Sequence, residues 1–146
     1  MPEAYSLREL TTLAEMMERH PLVQQLNPTL TADAYASLLP DMLRHGYRQV
    51  GVFLNDHCIG LSGFWVSNRL YCGRYIEMDN VVVDAPHRSA GVGKMLTDWI
   101  VEKGRAERCQ VAMLAVKVHN IDAHRFYFRE RYAIIAYQMH RTLESA

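Results

Sequence analysis

The residues best suited to chemistry lie in Arg88-Ser89-Ala90-Gly91-Val92-Gly93-Lys94, a glycine-bearing loop that follows Val81-Val82-Val83 and opens a helical pattern. The first turn of a helix leaves backbone N–H groups without internal partners, and the helix dipole places partial positive charge there. Glycines let an anion approach that backbone closely, so a strand–glycine loop–helix is suited to holding a diphosphate, and Arg88 and Lys94 add charge. The alternative is a glycine-rich helix start that holds nothing. Two nucleotide-binding loops are excluded by position. A P-loop needs glycine where Arg88 stands and Ser or Thr where Met95 stands, and a dinucleotide fingerprint needs a third glycine where Leu96 stands. Eleven residues before Arg88, Glu77 precedes Asp79 by two positions on a predicted strand. Both carboxylates then project from one face. They are placed either to take a proton or to pair with a nearby arginine such as Arg74.

The elements that must hold these residues follow from periodicity. Leu7, Leu10, Leu13, Ala14 and Met17 keep helical spacing, and Ser6 with Glu9 makes a capping box. A second helix is predicted from after Thr31 to near Gly46, with a kink or break at Pro40. Val50–Leu54 and Cys58–Val66 read as a β-hairpin turning at Asn55-Asp56-His57, and Tyr75–Val83 as a third strand. The mixture of polar residues and three valines at Asp79–Val83 breaks clean alternation, which points to a β-bulge. A helix carrying Val92, Met95, Leu96, Trp99, Ile100 and Lys103 follows, then a strand over Gln110–Val118, a helix opened by Asn120, and a last strand over about Tyr132–Leu143. The expected fold is α/β (α+β): a mixed, mostly antiparallel central sheet with helices on both faces.

Composition narrows the function classes. The 146 residues suit one domain, and 49% hydrophobic content suits a folded core. With 16 basic and 16 acidic residues the net charge is zero, which argues against nucleic acid as a partner. No apolar run approaches a membrane span. Met1-Pro2-Glu3-Ala4-Tyr5 lacks the pattern of a secretory signal, so a cytoplasmic location is expected. Cys58, Cys72 and Cys109 are too few and too scattered for a disulfide framework or a zinc site. Among seven histidines, His119 and His124 lie five apart with no carboxylate completing a ligand set, so no metal is expected.

The sequence resembles the GNAT N-acetyltransferase superfamily. Arg88-Ser89-Ala90-Gly91-Val92-Gly93 is similar to its Gln/Arg-x-x-Gly-x-Gly/Ala signature, and Asn120-Ile121-Asp122-Ala123-His124-Arg125-Phe126-Tyr127 to its Asn-x-x-Ala-x-x-Phe-Tyr. The likeness runs from about Val50 to Leu143. It implies a single N-acetyltransferase domain over 1–146, with residues 1–46 shaping the substrate site and 47–146 binding acyl-CoA. It further implies acetyl-CoA as co-substrate, bound by the amides of Arg88–Lys94, by the main chain of Val83 and by Asn120. The backbone N–H of Val81 is implied as donor to the thioester oxygen.

An amine of pKa about 10.4 is almost wholly ammonium at pH 7, a deficit of roughly 4–5 kcal/mol, so transfer calls for a proton acceptor. The resemblance implies Glu77 for that role, with Asp79 as the alternative, and Tyr127 as the acid that protonates the leaving thiolate. Tyr127 reads equally as a core residue, sharing a helix face with Ala123 and Phe126. Trp65, Tyr71 and Tyr75 are candidates for an acceptor pocket, or for cross-strand packing. The implied partner is a small-molecule or peptide amine, and a homodimer through the C-terminal strand fits the resemblance. A non-catalytic acyl-CoA-binding module is the competing reading. Two departures stand out. Arg131-Tyr132 occupy the places where the family often has Gly-Phe, so a different turn is expected there. The usual first strand is also not evident before Leu7.

Overall fold

The computed structural model describes residues 4–144; Met1–Glu3 at the start lie outside it. The described residues form two compact units, one running to Leu114 and one from Ala115.

The first unit is built on a five-stranded sheet ordered β1-β2-β3-β4-β5. The strands are β1 (Tyr5–Leu10), β2 (Arg48–Leu54), β3 (His57–Arg69), β4 (Gly73–Val83) and β5 (Val111–Leu114). The first four pair antiparallel and β5 joins β4 in parallel. Helices α1 (Leu13–Met17), α2 (His20–Leu26) and α3 (Ala32–Arg44) connect β1 to β2, and α4 (Val92–Ala106) connects β4 to β5. The sheet is therefore mixed and mostly antiparallel. Its two faces are covered by different helices. Leu61 and Val82 join Leu10, Met16, Leu22, Val23, Tyr35 and Leu39 in the core beneath α1–α3. On the opposite face Phe64 meets Trp99 of α4 edge-on at 5.6 Å.

Four expectations are corrected. Ser6 and Glu9 do not start a helix, because Tyr5–Leu10 forms a six-residue ladder with the edge of β2 and so supplies the first strand. Backbone pairing there outweighs a helical spacing that Thr11-Thr12 interrupts. Glu9 instead faces Arg48 across the strands, at 3.2 Å. The Thr-x-x-Glu repeat six residues on is the one that caps: Thr12 Oγ1 accepts the Glu15 N–H, and Glu15 Oε2 accepts the Thr11 N–H. Next, α3 runs unbroken through Pro40, which forfeits one hydrogen bond while buried Tyr35 and Leu39 hold the flanking turns. Third, β5 stops at Leu114, because its ladder on β4 ends at Met78, one residue before the sheet becomes irregular. Finally, no strand forms over 132–144. The alternation of Ile135, Tyr137 and Met139 is strand-like, but alternation specifies faces and does not supply an edge to pair with.

The second unit contains α5 (Ile121–Arg129), capped by Asn120, whose Oδ1 accepts the Ala123 N–H at 3.2 Å. Its C-terminus keeps the left-handed turn without glycine. Arg131 has φ 70, Arg131 N–H bonds Phe128 O, and Tyr132 N–H bonds Tyr127 O. That is a Schellman closure with arginine where glycine is favoured, so the turn expected to differ is retained at a cost in strain.

Candidate functional site

Strand β4 carries four of the predicted site residues, Glu77, Asp79, Val81 and Val83, and changes phase within it. Leu61 pairs with Val82 and Gly63 with Asp79, so three steps on β4 oppose two on β3. The extra residue is taken up at Asn80-Val81, with Asn80 in the left-handed region at φ 56. This is the bulge that the sequence suggests. Upstream of it Ile76 lies against Gly104 of α4, while Glu77 and Asp79 occupy the opposite face; downstream, Val82 has joined that opposite face. Asn80 and Val81 have no partner on β3, and β5 pairs only with Tyr75–Met78. The edge of β4 around Val81 is thus left unpaired by both neighbouring strands among the described residues.

The two carboxylates have different surroundings. Glu77 Oε1 lies 3.5 Å from Arg69 Nη2, a half-exposed pair worth little energetically. Arg69 also lies over the Tyr75 ring at 4.6 Å. Arg74, the expected partner, instead donates from Nε to the Glu107 carbonyl at 2.8 Å. Asp79 Oδ2 accepts the Trp65 indole N–H at 3.0 Å. Its Oδ1 has no hydrogen bond among the described residues, and Asp79 faces a cavity of about 490 Å3 between α2, α3 and β4.

Apart from Asp79, that cavity is lined by residues the sequence did not single out for chemistry. Tyr35 and Tyr47 line it; Trp65, Tyr71 and Tyr75 do not. Trp65 packs behind Tyr47 with ring centres 5.1 Å apart, Tyr71 is exposed, and Tyr75 is buried. Tyr47 reaches its place because Gly63 has no side chain: a Cβ there would collide with the phenol. Buried Gln49 ties the two tyrosines together, donating to Tyr35 Oη at 3.0 Å and to Tyr47 Oη at 3.2 Å. Burial pushes the Tyr47 phenol up to about 12, so it stays protonated at neutral pH.

Beyond β4, the chain turns through Ala85–His87 into the glycine loop. Gly91 is the N-cap of α4 at φ 86, and no side chain caps that helix. Its first-turn amides therefore lack a capping side chain, the arrangement in which a helix start can accept an anion. Ser89 is also left-handed, at φ 66. Arg88 folds back, its Nε donating to the Val83 carbonyl at 3.2 Å, and Lys94 Nζ lies 3.3 Å from Asp98. The main chain, more than these side chains, makes the site. It fits a diphosphate with an extended arm: an uncapped helix start at one end and the open edge of β4 at the other.

In the second unit Tyr127 sits among Phe126 and Tyr132, with ring centres at 5.0 and 5.6 Å. Burial, reinforced by Tyr132, pushes its phenol up to about 12. No group of three or more metal-ligating side chains gathers among the described residues. His124 Nε2 lies 3.0 Å from the Lys117 carbonyl.

Comparison with known proteins gives this arrangement its context. The sequence model of the acetyltransferase (GNAT) family matches residues 10–131. An uncharacterized N-acetyltransferase, YhdJ of Bacillus subtilis, is 27% identical over 122 residues, covering 83% of this chain and 86% of that protein. The aminoalkylphosphonate N-acetyltransferase of Salmonella typhimurium is 30% identical over 112 residues, covering 76% and 71%. Among solved structures, an aminoglycoside N-acetyltransferase in complex with CoA superposes with TM-score 0.84 at 14% identity, covering 99% and 98% of the chains. The glucosamine-6-phosphate N-acetyltransferase of Arabidopsis thaliana gives 0.75 at 16%, covering 97% and 100%.

Proposed function

Because the chain belongs to the acetyltransferase (GNAT) family, we propose that it transfers an acetyl group from acetyl-CoA to a primary amine by direct attack within a ternary complex. The observation that carries this reading is β4. One strand bears both carboxylates, a bulge, an open edge, and the run into an uncapped helix start. The relative from Salmonella supports an amine as acceptor; the amine, rather than its substituent, is what this chain is proposed to share.

When bound, acetyl-CoA supplies the thioester carbon that the amine attacks. The amides of Arg88–Lys94 would hold its diphosphate, with Val83 and Asn120 as further contacts. The Val81 N–H would donate to the thioester carbonyl oxygen, and a preorganised donor of that kind is worth about 2.7–4 kcal/mol. Glu77, directly or through water, takes the proton from the ammonium, and Asp79 is the alternative base on the same face. Tyr127 is the proposed acid at the departing sulfur. A phenol near 12 is three to four units above an ordinary thiol, so its chief contribution is a hydrogen bond that strengthens as thiolate charge builds. Residues 1–146 are proposed to work as one domain, with 1–46 shaping the acceptor site and 47–146 holding the cofactor.

The test is release of free coenzyme A thiol with an amine panel, alongside calorimetric binding of coenzyme A. Glu77→Gln should lower turnover by about 10²–10⁴-fold and Tyr127→Phe by less, with coenzyme A binding retained in both. Unchanged turnover in both variants would refute these roles.

A further inference from the structure

We propose that the cavity between α2, α3 and β4 selects acceptors whose primary ammonium is carried on a compact apolar body, and disfavours amines that also carry a phosphate, phosphonate or carboxylate. This deepens the transferase reading and rests on it. At about 490 Å3 the cavity falls within the range of small-molecule sites. Its walls are largely hydrocarbon, from Val23, Leu30, Leu38 and Met42. Leu38 is 55% exposed at the rim, apolar surface that a hydrophobic ligand would cover.

The cavity's charge is one-sided. Asp79 is the only carboxylate facing it, and no lysine or arginine lines it among the described residues. With Oδ2 occupied by Trp65 and Oδ1 unbonded, Asp79 is half-satisfied, and an ammonium is the donor that completes it with a charge-assisted bond. The polar neutral groups, Asn27, Thr29, Asn80 and the phenols of Tyr35 and Tyr47, offer hydrogen bonds but no countercharge. His20 does not line it: its ring lies 5.8 Å from that of Tyr35, and its Nε2 is 2.7 Å from the Leu30 carbonyl. An anion on the acceptor would lose its water without gaining a cation, and would stand near a carboxylate. Asp79 thus positions the ammonium, and Glu77, two residues away on the same face, receives its proton.

The test uses amines matched in size: butylamine and 2-phenylethylamine against 2-aminoethylphosphonate and β-alanine. Thiol release should give kcat/KM at least about tenfold higher for the apolar pair. Asp79→Asn should raise KM for the apolar amines. Leu38→Arg, at a position 55% exposed, should move the ratio toward the anionic amines about threefold or more. Calorimetry on coenzyme A-saturated protein provides a readout independent of turnover. Faster acetylation of 2-aminoethylphosphonate, or a ratio indifferent to Leu38→Arg, overturns the proposal while leaving the transferase reading intact. Failure of every apolar amine to bind overturns it as well. Apolar amines that bind in a Leu38→Arg-sensitive way without any thiol release would uphold the cavity assignment and refute the transfer.

Discussion

Gly60 offers a way to test the proposed cofactor role of the glycine loop without touching the loop. It lies on β3, on the face that α4 covers, and a Cβ built there would come within 2.5 Å of Val92 Cγ1 and 3.5 Å of Leu96 Cδ1. Val92 is the first residue of α4, immediately after the left-handed Gly91. Ordinary contact between such carbons is about 3.5–4.0 Å, so Gly60→Ala must displace the start of α4 by roughly 1 Å. Overpacking of this kind costs about 1–3 kcal/mol, which for a chain of this length lowers Tm by about 2–12 °C. Several amides must converge on one diphosphate, each contributing about 0.3–2 kcal/mol, so the shift should also weaken coenzyme A binding by tenfold or more. Gly104→Ala is the control. It crowds Ile76 Cγ2 at 2.8 Å from the same helix, but twelve residues and about 18 Å further on. It should cost stability, partly offset by about 1 kcal/mol of helix propensity, and leave coenzyme A affinity within twofold. Calorimetric Kd and thermal unfolding on both variants decide the matter. If Gly104→Ala weakens binding as much as Gly60→Ala, the loss is general softening, and the positioning argument fails.

Three further outcomes are expected. Arg131→Gly should stabilise by about 0.5–1 kcal/mol, since relief of left-handed strain exceeds glycine's entropic cost; a lower Tm would contradict this. Arg48 stands between Glu9 and Glu107, its Nη1 2.9 Å from Glu107 Oε2, so Arg48→Met should cost about 2–3 kcal/mol by urea unfolding. Burial opposes it, but Arg48 and Lys103 hold the Glu9 carboxyl below its usual range. The stability Glu9 contributes is therefore lost as pH falls through the acid range, and the variant should show a shallower acid decline. Tyr47, raised by burial to about 12, binds its proton more tightly folded than unfolded. Its stability is full below about pH 10 and falls by on the order of 2–3 kcal/mol as pH rises to 12, and Tyr47→Phe should remove that part of the alkaline loss. Equal slopes in the two proteins would refute it.

The sequence revealed those parts of the fold that local pattern alone determines. The three valines, the glycine loop and the apolar stripe of α4 read correctly because strand, turn and helix succeed one another without outside help. Tyr5–Leu10 did not, since its helical spacing is real and only the distant edge of β2 decides against it. Glu77 and Asp79 were visible as a same-face pair, but their different fates depend on Arg69, eight residues away, and on an indole fourteen residues away. The cavity was hidden more deeply still. Its lining comes from α2, α3, Tyr47 and the bulge, and the placement of Tyr47 depends on a missing side chain at Gly63. No spacing rule encodes that complementarity.

The extra residue in β4 also constrains how relatives of this chain can change. Without it, Val82 would face α4 alongside Ile76 and Met78; with it, Val82 lies under α1–α3. Substitutions on either side of Asn80 preserve that arrangement, so residues on the α1–α3 face and on the α4 face are free to diverge independently. A one-residue deletion between Met78 and Val82 would exchange sheet faces for everything on one side of it. Lineages descending from such a chain should therefore vary freely in the kinds of residue along β4, and hardly at all in their number.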